Sequence, residues 1–394
     1  MQRPSVDKKV NFEQKIPKSI VDRLETRALD GNLRSLNPEK KLVDFFSNDY
    51  LGFSTTGLLR KKLQLDPLYL ELTQFGSTGS RLLSGDSILH HKLEEKIAKY
   101  HFAESAILFN NGFSANFGLL ASLPTRHDTI IVDSLSHASI IDGQNASIAK
   151  NKWKFEHNDL EDLEDKIKNS VGDIYLVTES VFSMDGDFAP LEEIAKLSQK
   201  YGAYLIVDEA HAIGIFGPNG SGRICELGLE DQIFARVITF GKALGASGAA
   251  VLTNIETKNF LINFSRPLIY STAIEQETVL GISNAYDILK ETFTSSVPLY
   301  FLIHEFQAAL KKETSSDRYL KSISPIQGIL FKDNDSVKKA AKVLANENID
   351  CRAILSPTVQ KGQERLRIIL HSFNSNSEVQ LLMHTLKING FLFE

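Results

Sequence analysis

One lysine stands among glycine, alanine and serine in residues 237–252, VITFGKALGASGAAVL. The apolar run Val237–Phe240 reads as a buried strand, so Lys242 falls at a strand end where small residues let something large come close. Such a lysine is either a surface charge or a nucleophile held against a ligand. Partly desolvated, its amine loses its proton more readily and forms Schiff bases with carbonyls. A second strand end, AYLIVDEAH, sets Asp208 and Glu209 directly after an apolar run, with His211 close behind. A carboxylate there is costly unless it meets a cation. It is either half of a core salt bridge or the partner of a protonated ring nitrogen.

Further strand ends carry weaker signals. AILF (106–109) runs into Asn110-Asn111-Gly112-Phe113 just before a helix, which makes either an anion site of free backbone N–H groups or a plain tight turn. TIIVDS leads to His137, placed between small residues, where it stacks on a flat ligand or caps a helix. DIYLVTESV leads to Ser183, a ligand donor or part of an Asp- and Gly-rich turn. Thr239 precedes the lysine. Taken together, a strand-end aspartate followed by a strand-end lysine is what pyridoxal phosphate (PLP) chemistry asks for. The lysine anchors the aldehyde, and the aspartate keeps the pyridine nitrogen protonated so that the ring accepts the electrons of a carbanion. Gly112, Ser183 and Thr239 then become phosphate or ring contacts, and His137 a stacking partner.

These residues need a scaffold, and the chain supplies one. From about residue 86, short apolar runs alternate with helical patterns. Leu89, Leu93 and Ile97 share one helix face. Strands are expected at 106–109, 129–134, 153–157, 173–181, 203–211 and 237–241, with helices between them. The helix over 190–202 opens at Pro190 and closes at Gly202. This alternation predicts an α/β fold with a mostly parallel sheet flanked by helices. Ligands in such sheets bind beyond the carboxyl ends of the strands. After about 255 the pattern changes to long helices and then the strands IQGILF, CRAILSP and RLRIILH, the mark of a smaller C-terminal α+β domain. The expected organisation is an N-terminal segment 1–50, a large domain 51–265 and a C-terminal domain 266–394.

Bulk properties exclude several classes. The 394 residues are 42% hydrophobic and 24% charged with a formal net charge of −5, which gives no electrostatic surface for nucleic acid or an anionic membrane. Cys225 and Cys351 are the only cysteines, too few for a disulfide framework. The stretch MQRPSVDKKVNFEQKIPKSI has no apolar core of signal-peptide type, and no apolar run is long enough to span a bilayer. A cytoplasmic location is expected. FGSTGSRLLSG (75–85) and FGPNGSGR (216–223) lack the nucleotide-loop spacing, and the latter reads as a turn. His90, His91 and Glu94 mimic a helical metal pair, but H-E-x-x-H is absent; a solvated helix face is expected, and no metal.

GSTGSRLLSG, LFNNGFSAN, SHASIIDG, VTESVFSMDGD, IVDEAH, TFGKALGASGAAVL and RPLIYSTA follow one another in this order. The chain resembles the α-oxoamine synthases, PLP enzymes of fold type I, from SNDYLGFS (47–54) to PTVQKGQERLRIIL (357–370). The resemblance implies that Lys242 carries PLP and removes the amino-acid Cα proton. It pairs Asp208 with the ring nitrogen, His211 with the phenolic oxygen, and stacks His137 on the ring, where it also assists at the substrate. Gly112 and Phe113 would lie against the cofactor, Ser183 near its ring oxygen and Thr239 on its phosphate. Thr272 would reach the phosphate in the partner subunit, which implies a homodimer with shared active sites. Arg367 would bind the amino-acid carboxylate, a task suited to a guanidinium. Thr358 and Arg34 would face the acyl substrate, and Asn48 would line the site. The implied substrates are an amino acid and an acyl-CoA or acyl carrier protein. TFGKALGASGAAVL, LIYSTA and the PTV-to-RLR stretch favour the branch using L-alanine and a pimeloyl thioester over that using glycine and acetyl-CoA. Thr78, Ala212-Ile213 and Glu275-Gln276 depart from the usual family residues and bear on loop and acyl-chain details.

Overall fold

The computed structural model describes residues 16–34, 36, 42–292, 297–315 and 317–393. The chain divides into two compact units, Met1–Lys41 and Leu42–Glu394. The first contains the helix Lys18–Leu29, which buries none of its residues and carries a Lys18–Asp22 ion pair at 3.0 Å.

Among its described residues the second unit contains twelve strands: β1 (Val43–Asp44), β2 (Ser105–Phe109), β3 (Thr129–Asp133), β4 (Asn151–Phe155), β5 (Ile174–Glu179), β6 (Tyr204–Asp208), β7 (Ala235–Thr239), β8 (Ala249–Thr253), β9 (Ile326–Phe331), β10 (Ile349–Asp350), β11 (Arg352–Ile354) and β12 (Glu364–Ile369). Seven form one sheet in the order β2-β8-β7-β6-β5-β3-β4. Its pairings are parallel except at β8, which runs antiparallel to both β2 and β7. The chain therefore turns back immediately after the lysine loop, in a strand that the alternation of helix and strand does not predict. A three-stranded antiparallel sheet, β11-β12-β9, and the parallel pair β1-β10 complete the set.

The central strands form because they are buried on both faces. Every residue of β2, β3, β5 and β8 is buried. Alternate residues serve different cores: Ile107 and Phe109 join one cluster, Ala106 and Leu108 another. Each such large side chain contributes roughly 1.5–3 kcal/mol on burial, more than the propensity differences between helix and strand. β4 lies at the free edge, and its Lys152 and Lys154 discourage pairing with another chain. One cluster is continuous from Ile238 and Leu252 of the large sheet to Ile329, Leu366 and Ile368 of the small one.

Since β8 alone is reversed, the carboxyl ends of β2, β3, β5, β6 and β7 share one edge, joined there by the start of β8. That edge is where the expected functional residues collect.

Candidate active site

A cavity of about 310 Å³ opens at this edge. Lys242 and Thr239 follow from β7, Asp208 and His211 from β6, and His137 from the segment after β3; all line it. Gly112 and Phe113 begin the helix Gly112–Ser122, whose N-terminus points to the same space. Its cap is Asn111, which accepts a bond from Ser114 N at 2.8 Å. A Cβ on Gly112 would come 2.6 Å from Thr239 Cγ2, so glycine is required for this close approach.

The lysine loop is closed by main-chain bonds, Phe240 N to Gly248 O at 3.0 Å and Ala246 N to Phe240 O at 2.8 Å. It holds Lys242 Nζ 2.7 Å from His211 Nε2. Burial pulls the lysine down to about 8, although Asp208 and Glu179 push it the other way. Asp208 accepts from Asn116 Nδ2 at 2.7 Å and from Ala210 N at 2.8 Å. Its neighbour across the sheet is Glu179, which accepts from His137 N at 2.6 Å. Burial and the Asp208 charge raise Glu179 well above the usual carboxylate range. His137 caps the helix that follows, Nδ1 accepting from Ser139 N at 3.2 Å, and the residue also lines the cavity.

Arg367, on β12, reaches the group from the small sheet. Its Nε donates to Ser183 O at 2.9 Å and its Nη2 to Asn48 Oδ1 at 3.2 Å, and Asn48 lines the cavity. Ser183 and Arg367 are bonded to each other outside the cavity lining, and three further expected residues lie elsewhere. Thr358 borders a second cavity of about 780 Å³, which also touches Ser136, beside His137. Thr272 is exposed, and its carbonyl accepts from Asn110 Nδ2 at 2.8 Å. Arg34 belongs to the first unit, Met1–Lys41.

Sequence reasoning missed Asn116, Glu179, Ser139 and Tyr50. Asn116 is a polar residue amid a small apolar helix, and Glu179 ends an apolar strand as Asp208 does; that second feature was a readable signal. His90 and Glu94 are not on a solvated face as expected. Both are buried, because Arg81 and Lys258 meet Glu94 at 2.8 and 2.9 Å and Ile274 O meets His90 Nε2 at 3.0 Å. His91 is exposed beside Asp86. Among the described residues no group of His, Cys, Asp and Glu could hold a metal ion, and no helix is long and apolar enough to cross a membrane.

Beside the second cavity, His157 bridges Asp133 at 2.9 Å and Asp187 at 2.8 Å. Burial opposes its charge, but the bonds from both aspartates outweigh it and hold the imidazole up to about 9. A raised histidine stabilises the fold fully below its unfolded value near 6.5 and loses that contribution as pH rises through about 9. Urea denaturation is therefore expected to show stability falling across this window, by about 2 kcal/mol. His157→Gln is expected to flatten the fall; a His157→Gln profile that keeps the full slope would remove the assignment.

A lysine and an aspartate on neighbouring strand ends, beneath a glycine-opened helix N-terminus, define the fold as that of a PLP-dependent transferase of fold type I. Residues 40–386 match the family Aminotransferase class I and II, and the chain belongs to that family. It is 39% identical over 367 residues to an 8-amino-7-oxononanoate synthase of Emericella nidulans, covering 87% of this chain and 88% of that one. The solved 8-amino-7-oxononanoate synthase of Francisella tularensis superposes with a TM-score of 0.76 at 29% identity, covering 89% of this chain and 98% of that one. A serine palmitoyltransferase solved with PLP gives a TM-score of 0.86 at 25% identity, covering 95% and 97%.

Proposed function

We propose that the chain condenses L-alanine with the thioester of pimeloyl-CoA or a pimeloyl carrier protein, with loss of CO2, to give 8-amino-7-oxononanoate for biotin synthesis. The observation that carries this is the half-buried Lys242 amine sharing one cavity with the Asp208 carboxylate, in a chain similar over 87% of its length to a synthase of that name.

The residues present fit PLP. The Gly112–Ser122 helix N-terminus and Thr239 suit a phosphate, Asp208 a protonated ring nitrogen, and His137 a ring face. When bound, PLP supplies an electron sink for a carbanion at the amino-acid Cα. The chain's own groups do the rest. Arg367 holds the alanine carboxylate. Lys242 Nζ, pulled down to about 8, takes the Cα proton near neutral pH. The Cα then bonds to the thioester carbonyl carbon, the C–S bond breaks and the thiolate leaves. His137, beside that carbon, donates to the carbonyl oxygen. The carboxylate departs as CO2, and Lys242 returns a proton to Cα. The second cavity, walled by Leu135, Phe182, Met184, Leu320 and Val359, receives the acyl chain, with Thr358 at its border. Thr272, exposed on one subunit, completes the phosphate site of its partner in a homodimer.

The test is thiol release by the purified holoenzyme. It is expected with L-alanine and pimeloyl-CoA, and not with glycine and acetyl-CoA or L-serine and palmitoyl-CoA. Release only with one of the latter pairs would reassign the substrate, and release with none would refute the reading.

A further inference from the structure

His211 lies between two partners. Its Nδ1 is 2.6 Å from the Tyr50 hydroxyl, and its Nε2 is 2.7 Å from Lys242 Nζ. Burial, then the charges of Lys242, Arg367 and His137, hold the ring well below the usual imidazole range, so it is neutral and carries a single N–H. Which nitrogen bears that hydrogen decides whether Lys242 meets a donor or an acceptor.

Tyr50 settles the choice. It is fully buried, and burial keeps its hydroxyl protonated. The nearby Arg367 guanidinium, having only donors, cannot accept its proton. Two acceptors remain: His211 Nδ1 at 2.6 Å, and Asn48 Oδ1 at 3.4 Å, which already accepts from Arg367 at 3.2 Å. The short contact takes the proton. Nδ1 therefore accepts, and Nε2 carries the hydrogen.

We propose that Tyr50 is a positioning residue that fixes His211 in its Nε2–H form, so that the imidazole presents a donor to Lys242 and to any acceptor that takes the lysine's place. A donor at 2.7 Å is satisfied by the lone pair of a neutral amine and repels an ammonium. Tyr50 thus favours the form of Lys242 that reacts with an aldehyde. The groups facing Lys242 besides His211 are Asp208 and Glu179, which favour the ammonium, Arg367, which opposes it, and His137 across the cavity, whose own charge the lysine opposes. Removing the Tyr50 hydroxyl takes a contact from Arg367 alone among these, and the guanidinium keeps its charge. The tautomer follows from the hydrogen-bond geometry and the burial of both groups; its value for catalysis rests on the proposed function.

Two measurements test it. In the wild-type apoprotein with 15N-labelled histidine, His211 is assigned by the signals lost in His211→Gln. The expected pattern is a pyridine-like Nδ1 and a pyrrole-like Nε2 above about pH 8, where the Lys242 amine is neutral; the reverse pattern, or two protonated nitrogens, overturns the proposal. This measurement needs neither PLP nor a folded Tyr50 variant. The second follows the rate of PLP recombination with the apoprotein against pH. In Tyr50→Phe the ring is free to turn Nε2 into an acceptor for the ammonium, so the midpoint is expected to move up by about one pH unit. An unchanged or lower midpoint in a folded Tyr50→Phe sinks the proposal. Failure of the wild type to take up PLP would sink the proposed function, while the nitrogen shifts still decide the tautomer.

Discussion

Lys242→Ala is expected to lower kcat by at least about a thousandfold and to leave a folded protein. On the proposed function the change removes both the amine that would anchor PLP and the base that would move the Cα proton. His211 cannot replace it, because its ring is held neutral and is already bonded to Tyr50. The loop survives because its bonds are main-chain: Lys242 O still accepts from Gly245 N at 2.9 Å. The stability effect has a definite sign. A lysine held at about 8 in the fold and near 10.4 when unfolded leaves the unfolded chain with more protons between these values, so stability rises with pH there. In the Lys242→Ala apoprotein that rise should disappear, and stability at neutral pH should not fall. Steady-state kinetics together with melting curves from pH 7 to 10.5 read both effects. Retention of near-normal turnover would end the mechanistic reading.

Asp208→Asn is expected to lower kcat by about 10²–10³-fold, the scale for losing one placed charge opposite a developing one. The shapes match, but the hydrogen bonding does not. Asp208 accepts from Asn116 at 2.7 Å and from Ala210 N at 2.8 Å, whereas an amide accepts through one atom only. One donor is left facing an NH2 group, at a cost of about 1–3 kcal/mol. Loss of the charge also withdraws one of the two carboxylates that hold Lys242 up, so the variant's amine should titrate lower than that of the wild type. Kinetics with pimeloyl-CoA and urea denaturation separate the chemical loss from the structural one. A kcat within threefold of wild type would exclude Asp208 as the partner of the ring nitrogen.

The sequence is most legible where one physical effect dominates. Buried parallel strands are continuous apolar runs, so β3, β5, β6 and β7 stand out, and Asp208 and Lys242 are conspicuous as charges at their ends. β8 does not stand out, because Ala249-Ala250-Val251 follows a small-residue loop and reads as its continuation. What escapes local reading is partnership across long separations. Tyr50 meets His211 161 residues away, and nothing in SNDYLG announces it. Glu94 looks like a surface residue on a charged helix until Arg81 and Lys258 are seen to neutralise it. Asn116 is explained only by the carboxylate it meets, 92 residues on.

The reversal of β8 also bears on how the chain is made. β2 is an edge strand whose one neighbour in the sheet is β8, and Ser105 bonds to Thr253, 148 residues later. A nascent chain emerging from the ribosome thus exposes β2 without its neighbour while β3 to β7 are still being synthesised. Contacts so distant in the chain form slowly, and an unmatched apolar strand is a template for aggregation. Truncations ending before Ala249 should therefore be insoluble, whereas those that include Thr253 can close the sheet. The same short segment that returns the backbone past the lysine is also the one whose arrival ends the vulnerable phase of biosynthesis.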